Sequence, residues 1–194
     1  DSLGFSSREF IFWGNAEEAK IHDLQNYLRL WYKWDMTQIQ IPLQNLRTIA
    51  LNKNTPLLNQ TILFAKAKYT THIEEKIQLL EEALACTLPD FNIYQILQHR
   101  LTRNELTILN TLAFSYLKVK ISHQSIIYFQ HILSYYREVK NDIIFDSQYF
   151  SVTLWEFCNA LYSHKYYQEL LDLFSQIDYS LFWYTFCLLY TSDA

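Results

Sequence analysis

The stretch LTRNELTILNTLAF, residues 101–114, decides the fold class of this chain. Thr102 and Glu105 have the spacing of a capping box, in which the two side chains accept backbone N–H groups at the start of a helix. Apolar residues follow at helical intervals, as on a helix with one buried side. We therefore predict a long helix that begins near Thr102 and ends near Lys120.

Asn110 lies on or beside the apolar side of this predicted helix. A buried amide that finds no hydrogen-bond partner costs roughly 1–3 kcal/mol, so Asn110 needs partners. Two interpretations stay open. The amide bonds a neighbouring helix of the same chain, or it bonds the backbone of a ligand.

Composition favours an all-helical fold. The 194 residues include only 2 Gly and 3 Pro, too few for turn-rich β structure or for a glycine-rich phosphate loop. Half of the residues are hydrophobic and 17% are aromatic, which is enough apolar surface to form a core. The net charge is −4 and there is no basic stretch, so we do not expect this chain itself to bind nucleic acid.

Helix start signals recur along the chain, and no strand-like alternation appears. Thr55-Pro56 is a cap followed by proline at the first helical position, and Thr71 with Glu74 has capping-box spacing. Helix pairs begin near residues 55, 102 and 142, at intervals of roughly 40–47 residues, in the range of two-helix repeats. We predict an all-α fold of stacked helical hairpins, a tetratricopeptide-like right-handed solenoid. Four aromatic residues fall near signature positions of that repeat, namely Trp155, Tyr162, Tyr167 and Phe174.

The sequence lacks the common motifs of catalytic and metal-binding sites. There is no HExxH, GxSxG, GxxxxGK[ST] or GxGxxG motif, so we expect no enzyme, no metal and no cofactor. Cys86, Cys158 and Cys187 lack metal-ligand spacing and read as reduced thiols of a cytoplasmic protein. The longest apolar run, residues 181–190, is far shorter than the roughly 20 residues that span a bilayer, so no membrane segment is expected.

Two segments resemble one family of regulators. SLGFSSREFIFWGN at the start and ELTILNTLAF in the middle resemble the Rgg/GadR/MutR group of transcriptional regulators of Gram-positive bacteria. The second segment matches that group's E-L-x-x-L-N-x-x-x-F pattern at Glu105, Leu106, Leu109, Asn110 and Phe114. In such proteins an N-terminal helix-turn-helix domain and a linker precede a tetratricopeptide-like domain.

The resemblance implies the sensory half of such a regulator. Residues 1–15 would be the end of the linker helix, and residues 16–186 would form the domain that binds an effector and dimerises. DNA binding would come only from a helix-turn-helix that precedes this chain. The partners implied are a short, mostly apolar signalling peptide and a second copy of the chain. A tetratricopeptide-like docking scaffold without a small effector is the alternative.

The last eight residues, CLLYTSDA, resemble the in-frame translation of a sequencing adapter. We therefore expect residues 187–194 to lie outside the natural domain and to be dispensable for its stability. The residues just before them are rich in aromatics that favour a dimer interface, namely Tyr179, Phe182, Trp183 and Phe186.

The predicted peptide site lies on the first helix of each hairpin. An extended peptide brings unpaired backbone N–H and C=O groups, and asparagine can bond both with one side chain. Asn104, Asn110 and Asn159 are therefore the candidate backbone ligands. Trp155 offers flat apolar area to a side chain of the peptide, and Arg103 is the candidate partner of a carboxylate. Arg103 as a surface charge and the asparagines as core-packing residues are the alternatives.

Overall fold

A computed structural model gives the fold of this chain. It describes residues 43–44, 46–48, 55–119, 122–139 and 147–176, and these residues contain helices and turns but no strand. The all-α prediction is confirmed for this part of the chain. The helices are α1 (Pro56–Tyr69), α2 (Ile73–Ala85), a 3-10 helix (Ile93–Gln98), α3 (Arg103–Lys118), α4 (Ser122–Glu138), α5 (Ser147–Ser163) and α6 (Tyr167–Gln176).

The start signals place most of these helices to within a residue or two. The hydroxyl of Thr55 accepts the backbone N–H of Leu58 at 3.3 Å, and Pro56 takes the first helical position as predicted. The capping box at Thr71 is wrong, because His72 is the N-cap of α2 and its side chain makes no capping bond. The described residues do not include the predicted linker helix at 1–15, the aromatic segment 179–186, the segment 187–194 or either predicted domain boundary.

The chain divides into two compact units. The first holds the described residues up to Phe91 together with Arg103–Ile108, and the second holds Asn92–Thr102 and the described residues from Leu109 onward. In the first unit α1 and α2 form an antiparallel hairpin joined by a three-residue turn, and Phe64 and Leu80 are fully buried. An amphipathic hairpin of this kind buries its apolar residues between its helices and the next element.

In the second unit α4 runs antiparallel to the part of α3 that belongs to it. The Ser125 hydroxyl donates to the carbonyl of Ala113 at 2.7 Å. Farther along α4, the Tyr135 hydroxyl accepts the backbone N–H of Leu101 at 2.9 Å. Later residues of α4 therefore meet earlier residues of the segment that leads into α3, which is the register of an antiparallel pair.

The next helix, α5, is antiparallel to α4. Phe129 and Phe157 stack with ring centroids 5.5 Å apart, and Tyr136 meets Phe150 edge-on at 5.9 Å. All four rings are buried. Since α4 is antiparallel to both α3 and α5, the helices α3 and α5 run in the same direction.

A left-handed residue ends α5 and sets the direction of α6. The N–H of Tyr166 bonds the carbonyl of Leu161 at 2.9 Å, and the N–H of Lys165 bonds that of Tyr162 at 3.1 Å. This pair of bonds is the Schellman motif. Its left-handed position is Lys165, with φ 63°, where glycine is the usual residue.

We expect Lys165→Gly to stabilise the protein. Glycine reaches positive φ without the clash between Cβ and the carbonyl, so the free energy of unfolding should rise by about 1 kcal/mol and the thermal midpoint by roughly 2–4 °C. Thermal unfolding followed by circular dichroism measures the change. Lys165→Ala is the control, because it removes the charge but keeps Cβ, and an equal gain in that variant would contradict the backbone explanation.

Candidate functional site

A network of hydrogen-bonded polar side chains links the elements of the first unit. Gln60 on α1 is 0% exposed, and its Nε2 donates to Thr87 Oγ1 at 2.5 Å. Its Oε1 accepts from Asn104 Nδ2 at 2.6 Å. Thr87 then donates to Glu105 Oε1 at 2.7 Å. This hydrogen-bond network joins α1, the turn after α2 and the first turn of α3.

These bonds give Asn104 and Glu105 structural partners within the first unit. One oxygen of the Glu105 carboxylate accepts from Thr87, which lies in another element of the unit. Asn104 is buried, and its Oδ1 has no hydrogen-bond partner. Arg103, the residue before it, is exposed. Of the two predicted peptide contacts in this unit, only Arg103 is accessible to solvent.

In the second unit Asn110 bonds a neighbouring helix. Thr153 on α5 donates its hydroxyl to Asn110 Oδ1 at 2.9 Å, across 43 residues of sequence. This bond confirms the first of the two interpretations of Asn110. The other end of the amide, Nδ2, is buried and has no hydrogen-bond partner.

Two charged groups lie farther along the same pair of helices. Lys118 Nζ lies over the ring of Phe114, 4.5 Å from its centroid. Burial raises the pKa of Glu156 on α5 above its ordinary value, while the positive charge of Lys118 acts in the opposite direction. We call the five residues the α3–α5 seam; they are Asn110, Phe114, Lys118, Thr153 and Glu156.

The seam presents a donor, a half-buried ring and two charged side chains along one line. An unbonded amide N–H₂ group fits a carbonyl oxygen, and a half-buried aromatic ring fits an apolar side chain. Such a set can offer an extended chain a hydrogen bond, an apolar contact and charge pairing. We therefore take the seam as the candidate functional site.

Trp155 lies away from the contact between α5 and α3, and Asn159 lies at its border. Trp155 is 67% exposed, and two residues of helix, or about 200° of rotation, separate it from Thr153. Asn159 is also exposed. It follows Glu156 by three residues, so it borders the seam. Asn110 thus lies beside Thr153 and Glu156, whereas Trp155 lies on another side of α5.

Sequence reasoning did not identify Thr153, Glu156 or Lys118 as members of a site. The offset of 43 residues between Thr153 and Asn110 is close to the predicted spacing of helix pairs. This offset could have pointed to Thr153 as a partner of Asn110, because the first helices of successive hairpins run parallel and bring residues one repeat apart into contact.

The structure offers no sign of metal or thiol chemistry in the part of the chain it describes. No group of three or more His, Cys, Asp or Glu side chains that could hold a metal ion occurs there. Cys86 and Cys158 are free thiols, and burial raises the pKa of Cys158 to about 11, which makes it a poor nucleophile. None of the described helices has both the length and the apolarity needed to cross a membrane.

Comparisons with family models, with curated proteins and with solved structures found no match to this chain.

Proposed function

We propose that this chain is the sensory and dimerisation part of a cytoplasmic transcription regulator of the Rgg type, which binds a short apolar peptide. The sequence resemblance at residues 105–114 and the all-helical fold support this proposal. The parallel course of α3 and α5, with the antiparallel α4 between them, supports a tetratricopeptide-like stack of hairpins.

The observation that carries the proposal is the unbonded Nδ2 of Asn110. The peptide lies along the α3–α5 seam, and one of its backbone carbonyls accepts from this atom. Nδ2 is buried in the free chain, so a neighbouring side chain moves when the peptide binds. The bond then removes the cost of about 1–3 kcal/mol that an unsatisfied buried donor carries.

The other groups of the seam fit the same ligand. Phe114 supplies apolar contact, while Lys118 and Glu156 are placed to pair with the charged ends of a short peptide. Asn159 borders the seam and adds a second amide. In this arrangement Asn104 keeps its bond to Gln60 and Trp155 faces elsewhere, so neither contacts the peptide.

The proposal includes a homodimer, because a helix-turn-helix that reads palindromic DNA needs two copies at a fixed spacing. Sedimentation of the whole regulator tests this part, and a monomer at every concentration would contradict it.

The alternative is a docking scaffold of the same fold that binds a protein partner. The exposed aromatic residues of α5 and α6 favour it, since large exposed apolar patches mark interaction sites. The coding sequence upstream of residue 1 separates the two functions. A helix-turn-helix directly before the linker segment supports the regulator, and an unrelated or absent upstream domain supports the scaffold.

A further inference from the structure

The α1–α2 hairpin brings two lysine side chains together near its turn. Lys68 lies in the last turn of α1, and Lys76 lies near the start of α2. Because only residues 70–72 separate the two helices, the end of α1 runs beside the start of α2. Both lysine side chains are half-buried, and the positive charge of Lys76 acts on Lys68.

The surroundings of Lys68 favour an uncharged amine. Its Nζ lies 5.2 Å from the centroid of the Phe64 ring, and Phe64 is fully buried. Burial and, to a smaller extent, the charge of Lys76 lower the pKa of Lys68 to about 7. A lysine that is desolvated and placed next to another cation becomes a nucleophile at neutral pH, because its nitrogen keeps a lone pair.

We propose that Lys68 is a modification site at which carbon dioxide is bound as a carbamate, held by the ammonium group of Lys76. In this reaction the lone pair of Lys68 Nζ attacks the carbon of carbon dioxide, and an N–C bond forms. One C=O electron pair moves to oxygen, and a proton leaves Nζ for the solvent. The product is R–NH–COO⁻, and no oxidant or reductant takes part.

Lys76 is needed for this product to form. Burial disfavours an anion at this position as it disfavours an ammonium ion. The charge of Lys76 acts differently on the two, since it repels the ammonium form of Lys68 and attracts the carbamate. The carbamate thus replaces the repulsion of two cations by an ion pair between α1 and α2. The proposal is independent of whether a peptide binds the seam.

Chemical trapping of the full chain tests this modification. The protein is incubated with isotopically labelled bicarbonate at about pH 8, and triethyloxonium converts any carbamate to a stable ethyl carbamate before peptide mapping by mass spectrometry. The labelled adduct at Lys68 should be at least about tenfold more abundant in the folded protein than in protein unfolded with guanidinium chloride. On unfolding, the pKa of Lys68 returns to about 10.5, and the reactive uncharged form becomes scarce.

Two variants test the part that Lys76 plays. Lys76→Gln removes the charge that attracts the carbamate and should lower the adduct at Lys68 by at least about fivefold. Lys66→Met, which removes a positive charge elsewhere on α1, is the control and should leave the adduct unchanged. Circular dichroism shows whether each variant is folded, and Lys76→Met replaces Lys76→Gln if that variant unfolds.

The outcomes separate clearly. An adduct at Lys68 that requires the folded protein and the charge of Lys76 supports the proposal. The proposal is overturned if no adduct forms at Lys68, or if the folded and unfolded proteins carry equal amounts. It is also overturned if Lys76→Gln leaves the adduct unchanged, or if Lys66→Met lowers it as much as Lys76→Gln does.

Discussion

Phe129→Ala should lower the free energy of unfolding by about 3–5 kcal/mol. Phe129 is 1% exposed, and its ring stacks on Phe157 between α4 and α5. Truncation removes the buried ring and leaves a cavity at the place where consecutive hairpins meet, and the neighbouring helices can close it only in part. For a chain of this size we expect the thermal midpoint to fall by roughly 10 °C.

Urea or thermal unfolding followed by circular dichroism gives this value. Leu97→Ala is the matched control in the same unit, because Leu97 is 57% exposed and its truncation should cost less than about 0.5 kcal/mol. Equal losses in the two variants would contradict the description of the α4–α5 contact as the core of the second unit.

Lys68→Met should stabilise the protein at neutral pH, by about 2–4 kcal/mol. Lys68 is half-buried near the end of α1, where its Nζ lies 5.2 Å from the centroid of the Phe64 ring. Burial and, to a smaller extent, the positive charge of Lys76 together lower the pKa of Lys68 to about 7. The folded state therefore disfavours the charged form of this side chain. Methionine fills a similar space without a charge, so it avoids this cost.

The effect has a defined pH dependence. In the unfolded chain the pKa of Lys68 returns to about 10.5, so between about pH 7 and pH 10.5 the unfolded state binds a proton that the folded state lacks. Stability of the unmodified protein should consequently rise with pH across this window. The advantage of Lys68→Met should be largest at about pH 7 and should shrink toward pH 10.5.

Urea unfolding at about pH 7 and about pH 10 measures the two differences. Lys66→Met, a change of the same kind two residues earlier on α1, is the control for the loss of one positive charge from this helix. If the gain in the free energy of unfolding from Lys68→Met is the same at the two pH values, the explanation by the lowered pKa of Lys68 is contradicted. Packing would then be the cause of the gain.

Local signals in the sequence predicted the helices well, because a helix start depends on residues within one turn. Thr55 and Pro56 begin α1 by the mechanism read from their identities alone. Glu105 shows the limit of such signals, since the bond from Thr87 to its carboxylate joins two different elements, and no local rule predicts a contact of this kind.

The candidate site was predictable only in part. Asn110 stood out because an amide on an apolar helix side needs partners, and the structure supplies one of them in Thr153. Trp155 was grouped with Asn110 on the assumption that first helices share one lined face. The position of a side chain around α5 depends on how that helix is rotated against α3, which helical spacing alone does not determine.

Titration of the protein with a library of short apolar peptides, followed by the same titration of Asn110→Asp, tests the central claim most directly. Aspartate keeps an oxygen for the hydroxyl of Thr153 but has no N–H to give a ligand. Gln130→Glu, the same chemical change at an exposed residue of α4, is the control. We predict a peptide that binds the unmodified protein and the control alike, and Asn110→Asp more weakly by about 1–3 kcal/mol, or roughly 5–150-fold. A library without a binder, or a binder held equally well by Asn110→Asp, would contradict the account.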